Sequence, residues 1–143
     1  MKRLLTVLSG LILSGTLLFA QKTPDVCLTP SVDGSPRFEA VQKVIRERNA
    51  YQVEIHTMLC NRTAKPRKAS VTVRVLDARG KLVNSRKETV KIEAGSAKPY
   101  ATFIPIDKPH IWDGTGTPYQ YKVTVAVKKD YSEAGFYFRQ ETL

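Results

Sequence analysis

Through most of this chain apolar and polar residues alternate one by one. Tyr51, Val53, Ile55, Thr57 and Leu59 share one parity, while Gln52, Glu54, His56, Met58 and Cys60 take the other. Val71, Val73 and Val75 alternate with Thr72, Arg74 and Leu76, and Tyr119, Tyr121, Val123, Val125 and Val127 alternate with Gln120, Lys122, Thr124, Ala126 and Lys128. A helix would scatter such positions around its axis, whereas a strand lines them up on one buried face. Turn chemistry separates the runs at Asn61 to Pro66, at Asp77-Ala78-Arg79-Gly80 and at Ala94-Gly95-Ser96. Shorter strands are expected over 88–93 and 99–106, the second interrupted by Pro105 as suits an edge, and a last one over 136–139, after a short turn from Lys129 to Ala134. Phe38 to Arg48 fits either a first strand or a short helix leading into one. About seven short strands with turns between them predict an all-β fold, a β-sandwich of two antiparallel sheets.

The two ends follow other rules. Lys2 and Arg3 precede an uncharged run from Leu4 to Ala20, which is the layout of a secretory signal peptide over 1–20, cleaved after Ala20. The expected protein is therefore exported, periplasmic or extracellular, with no stable membrane span after cleavage. Residues 21–36 hold three prolines and no period, so they read as an extended arm ahead of a sandwich domain over 37–143. That arm is expected to pack poorly unless Cys27 is bonded to Cys60. An even cysteine count in an oxidising place permits one such disulfide; the alternative is Cys60 as a small apolar filler and Cys27 in a mobile arm. Asn61-Arg62-Thr63 also fits a glycosylation sequon.

At 143 residues the chain is one domain with a short arm, too short for a large barrel enzyme. It carries 23 basic against 13 acidic residues, a formal +10. The excess concentrates in residues 65–91, where Lys65, Arg67, Lys68, Arg74, Lys81, Arg86 and Lys87 make a basic face. Export argues against nucleic acid, so the face suits an acidic glycan or an anionic envelope surface, or is simply solvated.

The stretch from Tyr51 to Arg139 resembles the immunoglobulin-like β-sandwich domain that lies beside the catalytic barrel in family-2 glycoside hydrolases, the β-galactosidase and β-glucuronidase group. The likeness is carried by Val71 to Gly80, Val90 to Gly95 and above all by Pro109, Ile111, Trp112, Pro118, Tyr119 and Tyr121. A closing Phe-Gly-Phe-Arg is matched by Phe136-Tyr137-Phe138-Arg139, with Tyr137 in place of the glycine. The resemblance implies a scaffold and no active site, hence no enzyme.

Candidate chemistry is correspondingly thin. Glycoside hydrolysis needs two carboxyls facing across the scissile bond, and only Asp107 and Asp113 flank an aromatic, Trp112. Two histidines, His56 and His110, lie far apart in sequence and have no ligand spacing, so neither a metal nor a cofactor is expected. Trp112, Asp113, Asp107 and His110 form a candidate sugar-binding loop, but Trp112 is expected to be mostly buried between Pro109 and Pro118. The favoured reading is a non-catalytic envelope module with a structural or protein-interaction role; the alternative is a secreted carbohydrate-binding accessory protein.

Overall fold

A computed structural model of the chain describes residues 25–140 apart from Val32. The signal peptide over 1–20 and the start of the arm lie outside the described residues. Among the described residues the strands are β1 (Val26–Leu28), β2 (Phe38–Ile45), β3 (Ala50–Asn61), β4 (Arg67–Leu76), β5 (Leu82–Ile92), β6 (Ala97–Ile106), β7 (Ile111–Trp112), β8 (Tyr121–Val127), β9 (Asp130–Phe136) and β10 (Phe138–Arg139). The fold is an all-β sandwich as the alternation predicted, with about ten strands instead of seven.

One sheet is centred on β3. Its first edge takes β1 and β2 in succession, and its second edge takes β6 along Tyr51 to Cys60. The other sheet runs β9-β8-β4-β5, all antiparallel. Between the two lie Val53, Ile55, Val71, Val73, Val75, Ile92, Val123 and Val125, with Tyr121 at the rim, all buried; Val90 is only half-buried against them. These are the period-two positions, and the removal of their surface from water is what drives the sheets together. Phe138 closes one end. It is fully buried and receives Tyr51, Tyr121 and Phe136 edge-on at 5.8, 5.4 and 5.1 Å between ring centroids.

Of the two options for Phe38 to Arg48 the chain takes the strand, and three other elements depart from the sequence reading. Phe38 to Ile45 is a strand, ended by a single 3-10 turn over Arg46–Arg48 and a left-handed Asn49 at φ 50°. β5 is eleven residues long, far beyond 88–93, because an edge strand with both faces wet carries no apolar signature. The expected turn from Lys129 to Ala134 is instead mostly β9; the chain reverses at Lys128, whose φ is 55°. The arm also packs: Val26 and Leu28 are fully buried beside Leu59 and Asn61 of β3, although both cysteines are free. Polar bonds hold it in place. Asp130 accepts from Leu28 N at 2.9 Å and takes the Arg37 guanidinium with both oxygens, at 2.7 and 3.1 Å.

The prolines of β6 follow from hydrogen-bond parity. Asn61 N–H donates to Ser96 O at 2.9 Å, so even-numbered residues of β6 bond to β3 and the odd ones face the free edge. Pro99 and Pro105 are both odd, and no ladder bond is lost.

Candidate functional site

A groove of about 770 Å³ lies at one end of the sandwich. Three distant stretches build it: the turn after β2, the start of β5 and the exit from β6. Its lining includes Arg48, Tyr51, Val83, Asp107, Lys108 and Ile111. A register shift in the β4–β5 pairing, from Val75 opposite Asn84 to Leu76 opposite Leu82, leaves Val83 unpaired as a bulge. Val83 and Ile111 stay 39% and 40% exposed, large apolar groups held in water. Asn49 and Lys108, both at positive φ, form part of the rim. Left-handed backbone costs a β-carbon residue about 1–2 kcal/mol, and Asn tolerates it better than Lys does. The groove is thus apolar at its flanks, with two cations and one carboxylate around it.

Of the four residues expected in a sugar-binding loop, only Asp107 lines this groove. His110 stacks on Tyr119 with centroids 4.1 Å apart, and its backbone N–H donates to the Tyr121 hydroxyl at 2.8 Å. Asp113 Oδ1 accepts from Thr115 N at 2.9 Å and Thr115 Oγ1 at 2.7 Å, which holds its carboxyl below the usual range. Trp112 is largely buried, short of full burial. Its indole N–H donates to Thr115 O at 2.9 Å and Gly116 O at 3.2 Å, and its ring meets Tyr137 edge-on at 5.6 Å. Ile111 beside it turns outward, and Tyr137 covers the indole. Tyr137 stands where the resembled motif has glycine, so the departure in sequence supplies the partner of the tryptophan.

The basic face divides in four. By register and parity Lys68, Arg74 and Lys87 share the outer face of the β4–β5 pair, beside Lys91. Lys65 and Arg67 sit at one end, where Arg67 Nε reaches Thr63 Oγ1 at 3.4 Å, and Lys81 lies in the turn whose Asp77 carboxylate caps its N–H at 2.9 Å. Arg86 leaves the stripe: it shares the rung of core-facing Val73 and donates to Thr102 on β6 at 3.3 Å. Next to it Tyr100 donates a short bond to Glu88, so the free edges of β5 and β6 are tied by side chains. Burial and that carboxylate push the Tyr100 hydroxyl up to about 12.

Cys27 and Cys60 are direct partners across β1 and β3; Cys27 is buried and Cys60 half-buried. Burial and the neighbouring Cys27 push the Cys60 thiol up, while the Arg62 guanidinium pulls it the other way. The sequon is closed. Asn61 is 2% exposed, its Nδ2 donates to Lys65 O, Ile92 O and Glu93 O at 2.9, 3.0 and 3.2 Å, and its Oδ1 accepts from Thr63 N and Oγ1. Sequence reading missed this use of Asn61, and it missed Arg48, Val83 and Lys108. The signal for Asn61 was its parity with Leu59. For the groove residues there was none within any one segment. Among the described residues no group of three metal-ligating side chains forms, and no helix is long and apolar enough to cross a membrane.

The structure is similar to a β-glucuronidase from glycoside hydrolase family 2, with a TM-score of 0.69 and 22% identity over 81% of this chain and 13% of that one. It is similar also to a putative β-galactosidase from Bacteroides fragilis, with a TM-score of 0.71 and 19% identity over 85% of this chain and 19% of that one. A Bacteroides uniformis β-glucuronidase gives a TM-score of 0.68 and 21% identity, over 82% of this chain and 15% of that one. The chain therefore spans less than a fifth of the length of each. No curated protein matches the sequence. The family model described as glycosyl hydrolases family 2 matches residues 37–134, from the end of the arm through most of β9, and the chain belongs to that family as a β-sandwich part of it.

Proposed function

We propose that the chain is a non-catalytic immunoglobulin-like module, exported to the cell envelope, where it serves a structural or protein-interaction role. The observation that carries this reading is the pairing of the family match with the fate of the acids. The matched region corresponds to a small share of the similar enzymes. Of the two carboxylates flanking Trp112, Asp107 belongs to the open groove, while Asp113 is occupied by Thr115. Hydrolysis of a glycosidic bond needs one free carboxyl on each side of the bond. What the groove does offer is contact: Val83 and Ile111 for apolar burial, and Arg48, Lys108 and Asp107 for orientation at the rim.

A glycan is the second reading. It draws on the incompletely buried indole of Trp112 and on the cationic outer face of Lys68, Arg74 and Lys87. Capture of partners from envelope extract on immobilised protein, with and without a soluble glycan mixture, separates the two. A partner protein retained in both conditions, and lost when Val83 and Ile111 are each replaced by Asp, supports the interaction module. Retention that the glycan mixture abolishes, or that the groove substitutions leave intact, contradicts it.

A further inference from the structure

β1 is three residues long, yet all three are buried, and its middle residue meets the second cysteine of the chain. The bonds on either side define the kind of rung. Thr29 N–H donates to Met58 O at 2.9 Å, and Arg62 N–H donates to Asp25 O at 2.8 Å. Steps of two along both strands put Cys27 and Cys60 on the same hydrogen-bonded kind of rung, where Cα atoms stand about 5.5 Å apart. That separation falls within the commonest range for a disulfide. Cβ atoms of opposed residues lie about 4.5–5.5 Å apart, whereas a disulfide draws them to about 3.5–4.5 Å. Closure therefore moves β1 inward by about 1 Å, and by about 2 Å at most, which a three-residue strand at an edge can follow.

We propose that Cys27 and Cys60 close into a cross-strand disulfide that fastens the amino-terminal arm to β3. The oxidant is a disulfide-bearing molecule, protein or small. Cys60, the more exposed of the pair, loses its proton and attacks one sulfur of that disulfide, releasing the first thiolate. Cys27, deprotonated in turn, attacks the Cys60 sulfur of the mixed disulfide and releases the second. Two protons and two electrons leave the pair, and the oxidant becomes two thiols. The Arg62 guanidinium pulls the Cys60 thiol down against burial, so a cation is at hand while that thiolate forms. The proposal is independent of any role in the envelope, since it rests on the rung alone.

The test uses the purified chain, reduced and then exposed to oxidised glutathione under native conditions. Thiol titration and intact mass should show both thiols lost with no adduct retained, at a rate independent of protein concentration. A non-reducing peptide map should join the Cys27 and Cys60 peptides. With Cys27→Ser the reaction should stop at a glutathione adduct on Cys60. With Cys60→Ser the buried Cys27 should react about tenfold more slowly or worse, as follows from its loss of access. Two thiols still free in the folded protein, stable adducts on the parent chain, or disulfide-linked dimers in place of the internal bond would each overturn the proposal.

Discussion

Asn61→Ala is the perturbation whose cost can be worked most directly from the structure. The side chain sits at the end of β3, 2% exposed, and holds three carbonyls from two other segments together with the Thr63 N–H. Its bond to Ile92 O is buried, so truncation leaves that oxygen without water, at about 1–3 kcal/mol. The bonds to Lys65 O, Glu93 O and Thr63 N are part-buried and can be partly replaced by solvent, at about 0.5 kcal/mol each. The sum is about 3 kcal/mol, or roughly 10–15 °C in Tm for a domain of this size. Asn61→Asp adds a sign. A carboxylate there would face three carbonyl oxygens away from water, which raises its pKa in the folded state above that of the unfolded chain. Its charge penalty is absent below the unfolded value of about 3.9 and grows as pH rises through the folded one. Thermal melts should therefore show the Asp variant close to the Ala variant near pH 4 and well below it at pH 7, with the Ala–parent gap flat. An Ala variant within 0.5 kcal/mol of the parent (roughly the scatter of a surface change), or an Asp variant indifferent to pH, would refute the reasoning.

The other expectations can be checked on the same preparation. Trp112→Ala should cost about 2 kcal/mol in chemical unfolding, below the 3–5 kcal/mol of a fully buried aromatic, since the indole is short of full burial with one ring neighbour. Phe138→Ala, at the fully buried hub of three rings, should cost the whole 3–5 kcal/mol. Tyr100 should ionise near pH 12 in an absorbance titration, and Glu88→Gln should bring it part of the way down, since burial is the larger cause. Because its folded pKa lies above that of the unfolded chain, the stability it contributes is complete below about pH 10 and is lost as pH rises toward 12. Lys108→Gly should raise stability by about 0.5–1 kcal/mol by relieving a left-handed backbone at φ 46°; a fall in Tm would count against it.

How legible the fold was depended on which faces each strand buries. β4 and β8 show their core side as uninterrupted alternation, from Val71 to Val75 and from Tyr121 to Val127, and both lie where the pattern puts them. β5 could not be read to its full length, because Leu82 to Thr89 is exposed or half-exposed on both faces. β1 was hidden among prolines: Val26 and Leu28 are two apolar positions, too few to make a period, and Leu28 N–H is held by a long-range bond that it donates to Asp130. The site was less legible still. Trp112 could be picked out by type, but its cover is Tyr137, some twenty-five positions on, brought near by the parallel pairing of β7 with β10. The groove joins the turn at 48–51, a bulge at Val83 and the exit of β6, and no single window of sequence contains that juxtaposition.

The proposal that this β-sandwich of glycosyl hydrolases family 2 is a non-catalytic module can be tested most directly on the purified chain. The direct measurement is turnover of chromogenic aryl β-glucuronides and β-galactosides by the purified chain at high concentration, against buffer and against the heat-unfolded protein. The account predicts release indistinguishable from both controls, unchanged by Asp107→Ala or Asp113→Ala. Release that scales with folded protein and falls with either substitution would contradict it.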